Sequence, residues 1–297
     1  MHNARFGIYV LASLSAAGSD THIAHTTITD NEAMENGAIG IYLISRGNNN
    51  LITGATLARN TASGNALVGI NVQGGFAGTD GNTLDVRIKD NAVADNGIQG
   101  IRVVAGTDNS SHNHVVAEVR GNTVERNQFY GILTIAANGA VGFPTGTSNN
   151  NVLDLRIVQN TVKSQAGVGI GVSAGVGSGD GRAGAVADNN HTTAIVMRNT
   201  VEGSPRGIEL AAGGPGLASS NTTEVWVAHN TVCNNAGTDI VGEGGFSGNI
   251  LFPEPNLGIG NVLTGQIFQN TATTVVVADG TPGNTANVTQ FKNDLCQ

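Results

Sequence analysis

Aromatic residues make up only 4% of this 297-residue chain, and charged residues only 12%. An ordinary compact globule of this length fills its core with more large rings than that. Low charge beside 39% hydrophobic residues also excludes the disorder that high charge and low hydrophobicity bring. Proline is limited to 6 residues, and the 43 glycines follow no collagen-like triplet. No uninterrupted apolar run reaches the roughly 18 residues of a transmembrane helix. Basic residues never form a run and the net charge is -8, which argues against nucleic acid or an anionic membrane as partner. The start, Met1-His2-Asn3-Ala4-Arg5-Phe6, lacks the apolar core of a signal peptide. It enters a repeat partway, so an N-terminal cap is expected to be missing, with a partner or oligomer contact at that open coil. Cys233 and Cys296 match no metal-ligand spacing, which leaves two thiols or a disulfide clipping the tail to the body.

What the chain has instead is Gly, Asn, Thr and Ser in clusters, and these clusters recur. Asn91-Ala92-Val93, Asn122-Thr123-Val124, Asn160-Thr161-Val162, Asn199-Thr200-Val201 and Asn230-Thr231-Val232 are copies of one segment, with looser copies at Asn31, Asn60 and Asn270. About nine residues after each marker comes Gly-Ile-x-apolar, as in Gly40-Ile41-Tyr42-Leu43, Gly69-Ile70-Asn71-Val72 and Gly100-Ile101-Arg102-Val103. A third segment, clearest in Leu84-Asp85-Val86-Arg87-Ile88, alternates apolar and charged residues as a half-buried strand does. A period near 31 residues with three short strands predicts a solenoid whose coils bury their apolar columns only by stacking. Ile8, Ile41, Ile70, Ile101, Ile132, Ile170 and Ile208 form one such column. The marker asparagines, and a second row at Asn36, Asn65, Asn96, Asn127, Gln165, Ser204 and Asn235, are expected to hydrogen-bond the turns and one another.

Motifs such as Asn122-Thr123-Val124-x-x-Asn127-x-x-x-Gly131-Ile132 resemble the repeats of right-handed parallel β-helix proteins of the pectate-lyase-like superfamily. The resemblance covers residues 1–240; residues 241–297 read as degenerate last coils and a C-terminal cap, with Phe252-Pro253-Glu254-Pro255 breaking the repeat. It implies an all-β fold, a single right-handed parallel β-helix of about eight coils, in a secreted or cell-surface protein. The superfamily contains polysaccharide lyases, hydrolases, epimerases, tailspikes, adhesins and non-catalytic domains, so activity does not follow from fold.

In catalytic members the active groove runs along one sheet, and here the Gly-Ile-x sheet is its counterpart, because the longest insertions (136–150 and 173–190) follow it. The residues at x are expected to form an exposed row: Tyr9, Tyr42, Asn71, Arg102, Leu133, Gly171 and Glu209. Leu11, Ile44, Val104 and Ile135 are expected to be exposed beside it. Tyr9 and Tyr42 suit stacking on sugar faces, and Asn71, Arg102 and Arg46 suit hydroxyls or a carboxylate. A glycosidase needs two carboxylates, for which Glu209 with Asp239 one coil on is the available pair. A lyase or epimerase needs a basic residue and a cation for the substrate carboxylate, and Arg102 is the candidate. No motif asks for a cofactor; Asp80, Asp108 and Asp180 are the only suggestion of Ca²⁺, and they sit in loops where Asp is an ordinary turn former. Two functional classes result: a protein that binds or cleaves a polysaccharide, or a non-catalytic structural or adhesin-like module.

Overall fold

The computed structural model describes residues 3–13, 20–139, 146–177, 186–245 and 258–296. Asp180 and the 252–255 segment lie outside them. Three parallel sheets run the length of the molecule. The Gly-Ile sheet stacks nine strands, from Phe6–Ala12 to Val275–Gly280. The alternating sheet has ten, from His22–Ala24 to Thr285–Gln290. The short sheet has seven, from Thr61–Ser63 to Thr271–Ala272. From Ile39 to Ala272 each coil contributes one strand to each sheet in turn, paired to the adjacent coil, while the first turn gives two segments, His22–Ala24 and Thr27–Thr29, to the alternating sheet. This is the right-handed parallel β-helix, an architecture shared with the pectate-lyase-like superfamily. All three stacks continue past residue 240, through Ile240–Gly245, Val262–Phe268 and Thr271–Ala272.

Alternation explains the core. In Thr83–Lys89, Leu84, Val86 and Ile88 are buried while Asp85 and Arg87 face out. The isoleucine column pairs in register from Ile8 to Ile208 and runs on through Ile240 to Val275. Its members from Ile41 to Ile240 are fully buried, each such side chain contributing roughly 1.5–3 kcal/mol.

Buried asparagines hold the corners. Asn60 donates both its backbone N–H (2.9 Å) and its side-chain amide (3.0 Å) to Asn91 Oδ1, and the same amide reaches the Ile28 carbonyl at 2.9 Å. The pattern repeats from Asn31 to Asn293. The residue before the marker is left-handed in coil after coil (Asp30, Arg59, Asp90, Gln159, Arg198, His229), which makes the bend that the asparagine secures. The second row behaves in the same way from Asn36 to Gln165. A third ladder, at Asn50, Asn82, Asn113, Asn151, Asn190, Asn221, Asn261 and Asn284, closes the corner after the Gly-Ile sheet. Gly106 makes room for it, since a Cβ there would lie 2.5 Å from Asn151 Oδ1.

Cys233 and Cys296 form a disulfide that ties the tail to the short sheet.

Candidate functional site

Strands of the Gly-Ile sheet are buried on both faces: in Val68–Phe76 and Tyr130–Asn138 every residue but the last is buried. The expected row exists as a register, Tyr9, Tyr42, Asn71, Arg102, Leu133, Gly171, Glu209 on successive coils. Its expected exposure is corrected. Only Tyr9 is open, at 39%, while Asn71 is 2%, Arg102 8% and Glu209 7% exposed. Ile44, Val104 and Ile135 are buried as well. The physical reason is a second apolar layer on the outer face: Val104, Tyr130, Leu133, Ile135, Val168 and Val176 pack as one cluster, and Ile39, Tyr42, Ile44 and Val68 as another.

Between and above these clusters lies a cleft of about 600 Å³, lined by Tyr42, Asn71, Arg102, Leu133, Gly171 and Glu209 of the row and by flanking apolar side chains. A mostly apolar cleft of this size with a few convergent polar groups is the usual form of a ligand site.

The polar groups differ sharply in how they are satisfied. The Tyr42 hydroxyl donates to Gln73 Oε1 at 2.6 Å, and Gln73 Nε2 donates to the Gly75 carbonyl and the Thr107 hydroxyl. Burial pushes the Tyr42 phenol far above its ordinary range, so it stays a neutral donor. Tyr42 also stacks in an aromatic group with Phe6 and Tyr9, with centroids 4.9–5.5 Å apart. Arg46 lies at the margin, its guanidinium 4.9 Å from the Phe76 ring centre.

Arg102 is different. It makes no hydrogen bond and no ion pair with a described residue, and burial lowers its pKa, opposed by the fields of Tyr42 and Asp108. Its neighbour one coil back, Asn71, has a buried Oδ1 without a hydrogen-bond partner among the described residues. Two adjacent coils thus bring a largely buried cation and an amide to the lining of one cleft.

At the other end Glu209 accepts a hydrogen bond from the Tyr130 hydroxyl at 3.1 Å and pairs with Arg206 at 2.8 Å. Asp239 does not join it. The residue one coil below Glu209 is Val241, and Asp239 occupies the position of the repeat glycine. There its carboxylate accepts from the backbone N–H groups of Thr273 and Thr274 and from the Asn235 amide. Among the described residues no group of three or more His, Cys, Asp or Glu side chains is arranged to hold a metal.

Tyr130 and Arg206 are the site residues that the sequence pattern did not single out. They belong to one register row, Gln99, Tyr130, Val168, Arg206, just before the Gly-Ile pair. An aromatic pair, Phe129-Tyr130, at that place in one coil is the available signal.

No family model matches the chain, and neither a curated protein nor a solved structure matches it.

Proposed function

We propose that this protein binds an acidic saccharide in the cleft over the Gly-Ile sheet, with Arg102 pairing the carboxylate and the Asn71 amide hydrogen-bonding a hydroxyl. The observation that carries this reading is the burial of the Arg102 guanidinium without a hydrogen-bond or ion-pair partner among the described residues. A desolvated, unpaired charge costs several kcal/mol, and a bound carboxylate would offset that cost through two parallel hydrogen bonds. The aromatic and aliphatic walls suit the C–H faces of sugar rings.

Binding is favoured over cleavage. Hydrolysis needs a second carboxylate about 5–10 Å from the first. Among the described lining residues Glu209 is the one carboxylate, and it is committed to Arg206 and Tyr130. Elimination needs a proton acceptor besides the group that neutralises the substrate, and Arg102 is the one basic side chain among those residues. The Cys233–Cys296 disulfide supports a secreted or cell-surface location.

Calorimetric titration with acidic and neutral oligosaccharides tests the reading, with ultraviolet absorbance and reducing ends followed in parallel. Binding is expected for acidic saccharides only, weakened roughly tenfold or more in Arg102→Gln, with no product in either channel. Equal binding of neutral saccharides, or an unaffected Arg102→Gln variant, would overturn it. Product formation would replace binding by catalysis.

A further inference from the structure

The cleft's charges are sparse and fixed in order along the axis. From Arg102 the successive coils present Leu133, Gly171 and Glu209, and in the other direction Asn71 and Tyr42. At about 4.8 Å per coil, Glu209 is roughly 14 Å from Arg102 along the rod. Between them the row carries no charge: Leu133 faces the cleft, and the Tyr130 ring covers Gly171, where a Cβ would come within 2.7 Å of its Cε1.

We propose that the cleft selects glycans carrying one isolated carboxylate flanked by neutral sugars, and rejects continuous polyuronates. The inference rests on the acidic-saccharide reading above. With one carboxylate on Arg102, a polyuronate that turns its acid groups to one side sets the next against Leu133 or the uncharged Asn71 amide. One that alternates its acid groups sets the next facing group against the Tyr130 ring or the Tyr42 phenol, already tied to Gln73. Further along it meets the Glu209 carboxylate. In either case at least one carboxylate is desolvated without a cation, which is costly. Neutral sugars, particularly with acetyl or deoxy groups, meet the same walls without that loss.

Titration with tetrasaccharides of two backbones separates the possibilities. The first set is tetragalacturonate, its partly methyl-esterified form with one free carboxylate, and its full ester. The second is an aldotetraouronic acid, with one uronate on a xylan oligomer, and xylotetraose. A single-carboxylate ligand is expected to bind at least about tenfold more tightly than tetragalacturonate and the neutral forms. Tetragalacturonate binding as tightly as the single-carboxylate ligands would sink the selectivity while leaving the acidic-saccharide reading intact. No binding by any acidic ligand would remove both. Leu133→Arg, checked for folding by circular dichroism, supplies a second cation one coil from Arg102. It is expected to raise tetragalacturonate affinity by about tenfold, and an unchanged affinity counts against the proposal.

Discussion

The Tyr130 hydroxyl reaches the Glu209 carboxylate across the whole width of an intervening coil, and Gly171 is the residue that lets it pass. The contact joins residues 79 apart in the chain. Because a Cβ at position 171 would press on the ring, Gly171→Ala is expected to displace Tyr130 and cost about 1–3 kcal/mol. Tyr130→Phe removes the hydrogen bond to a charged group, worth about 1.5–3 kcal/mol. Urea unfolding of the two variants checks both values; a neutral Gly171→Ala would show that the ring has room to move.

Arg102→Met should separate stability from binding. Replacing a buried, unpaired cation by an apolar side chain of similar length is expected to stabilise the unliganded protein by about 1–4 kcal/mol. The same change should abolish saccharide binding. A thermal melt beside a titration reads both, and a destabilised variant would mean that the guanidinium is already satisfied.

The asparagine ladders predict unusually large losses from a polar-to-alanine change. In Asn122→Ala, the Asn91 N–H and amide lose their acceptor, and the Ile88 and Arg120 carbonyls lose a donor. At about 1–3 kcal/mol for each buried group left unpaired, a loss of 3 kcal/mol or more is expected. Asn293→Ala, at the end of the same ladder, should cost less, which denaturant midpoints would show.

Removing the disulfide should destabilise the C-terminal coils. Cys233 and Cys296 enclose 63 residues, for which chain entropy gives about 4 kcal/mol. Cys296→Ser is expected to expose the amides of the last coil to hydrogen exchange before those of the central coils.

Acid should weaken the corner pairs only slightly. Arg126 lowers the Asp95 carboxyl below its ordinary 3.8 through hydrogen bonding and charge. The stabilisation is therefore present above 3.8 and disappears as pH falls through the lower folded value. Both side chains are about half exposed, at 53% and 54%, so salt screens the pair. Asp95→Asn should flatten a small part of the acid limb of the stability curve, most visibly at low ionic strength.

The architecture was legible because stacking forces periodicity: Ile41, Ile70 and Ile101 must recur if coils share a core, and Asn60, Asn91 and Asn122 if bends share partners. The third ladder escaped notice because Asn50 and Asn151 sit in runs of asparagine, where sequence alone does not say which one turns inward. Tyr42, Asn71, Arg102 and Glu209 could be aligned from the Gly-Ile-x pattern. Their burial could not, since it depends on packing across the outer face between coils of unequal length. Asp239 was displaced from its expected place because an aspartate stands where the repeat has glycine, and the turn amides of Thr273 and Thr274 capture it.

The three asparagine files also divide the labour of change. Successive ladder partners are 31 residues apart between Asn82 and Asn113 but 38 between Asn113 and Asn151 and 39 between Asn151 and Asn190. Yet the strands on either side stay in step. The surplus residues follow the Gly-Ile strands in sequence, after Asn138 and Val176. The scaffold works like an indexed rack: surplus residues are taken up between fixed stops, and even the extra residue between Ile52 and Ala55 leaves the Asn60–Asn91 stop in line. Chain length can therefore change between the Gly-Ile strands and the asparagine ladder that follows them without disturbing the frame.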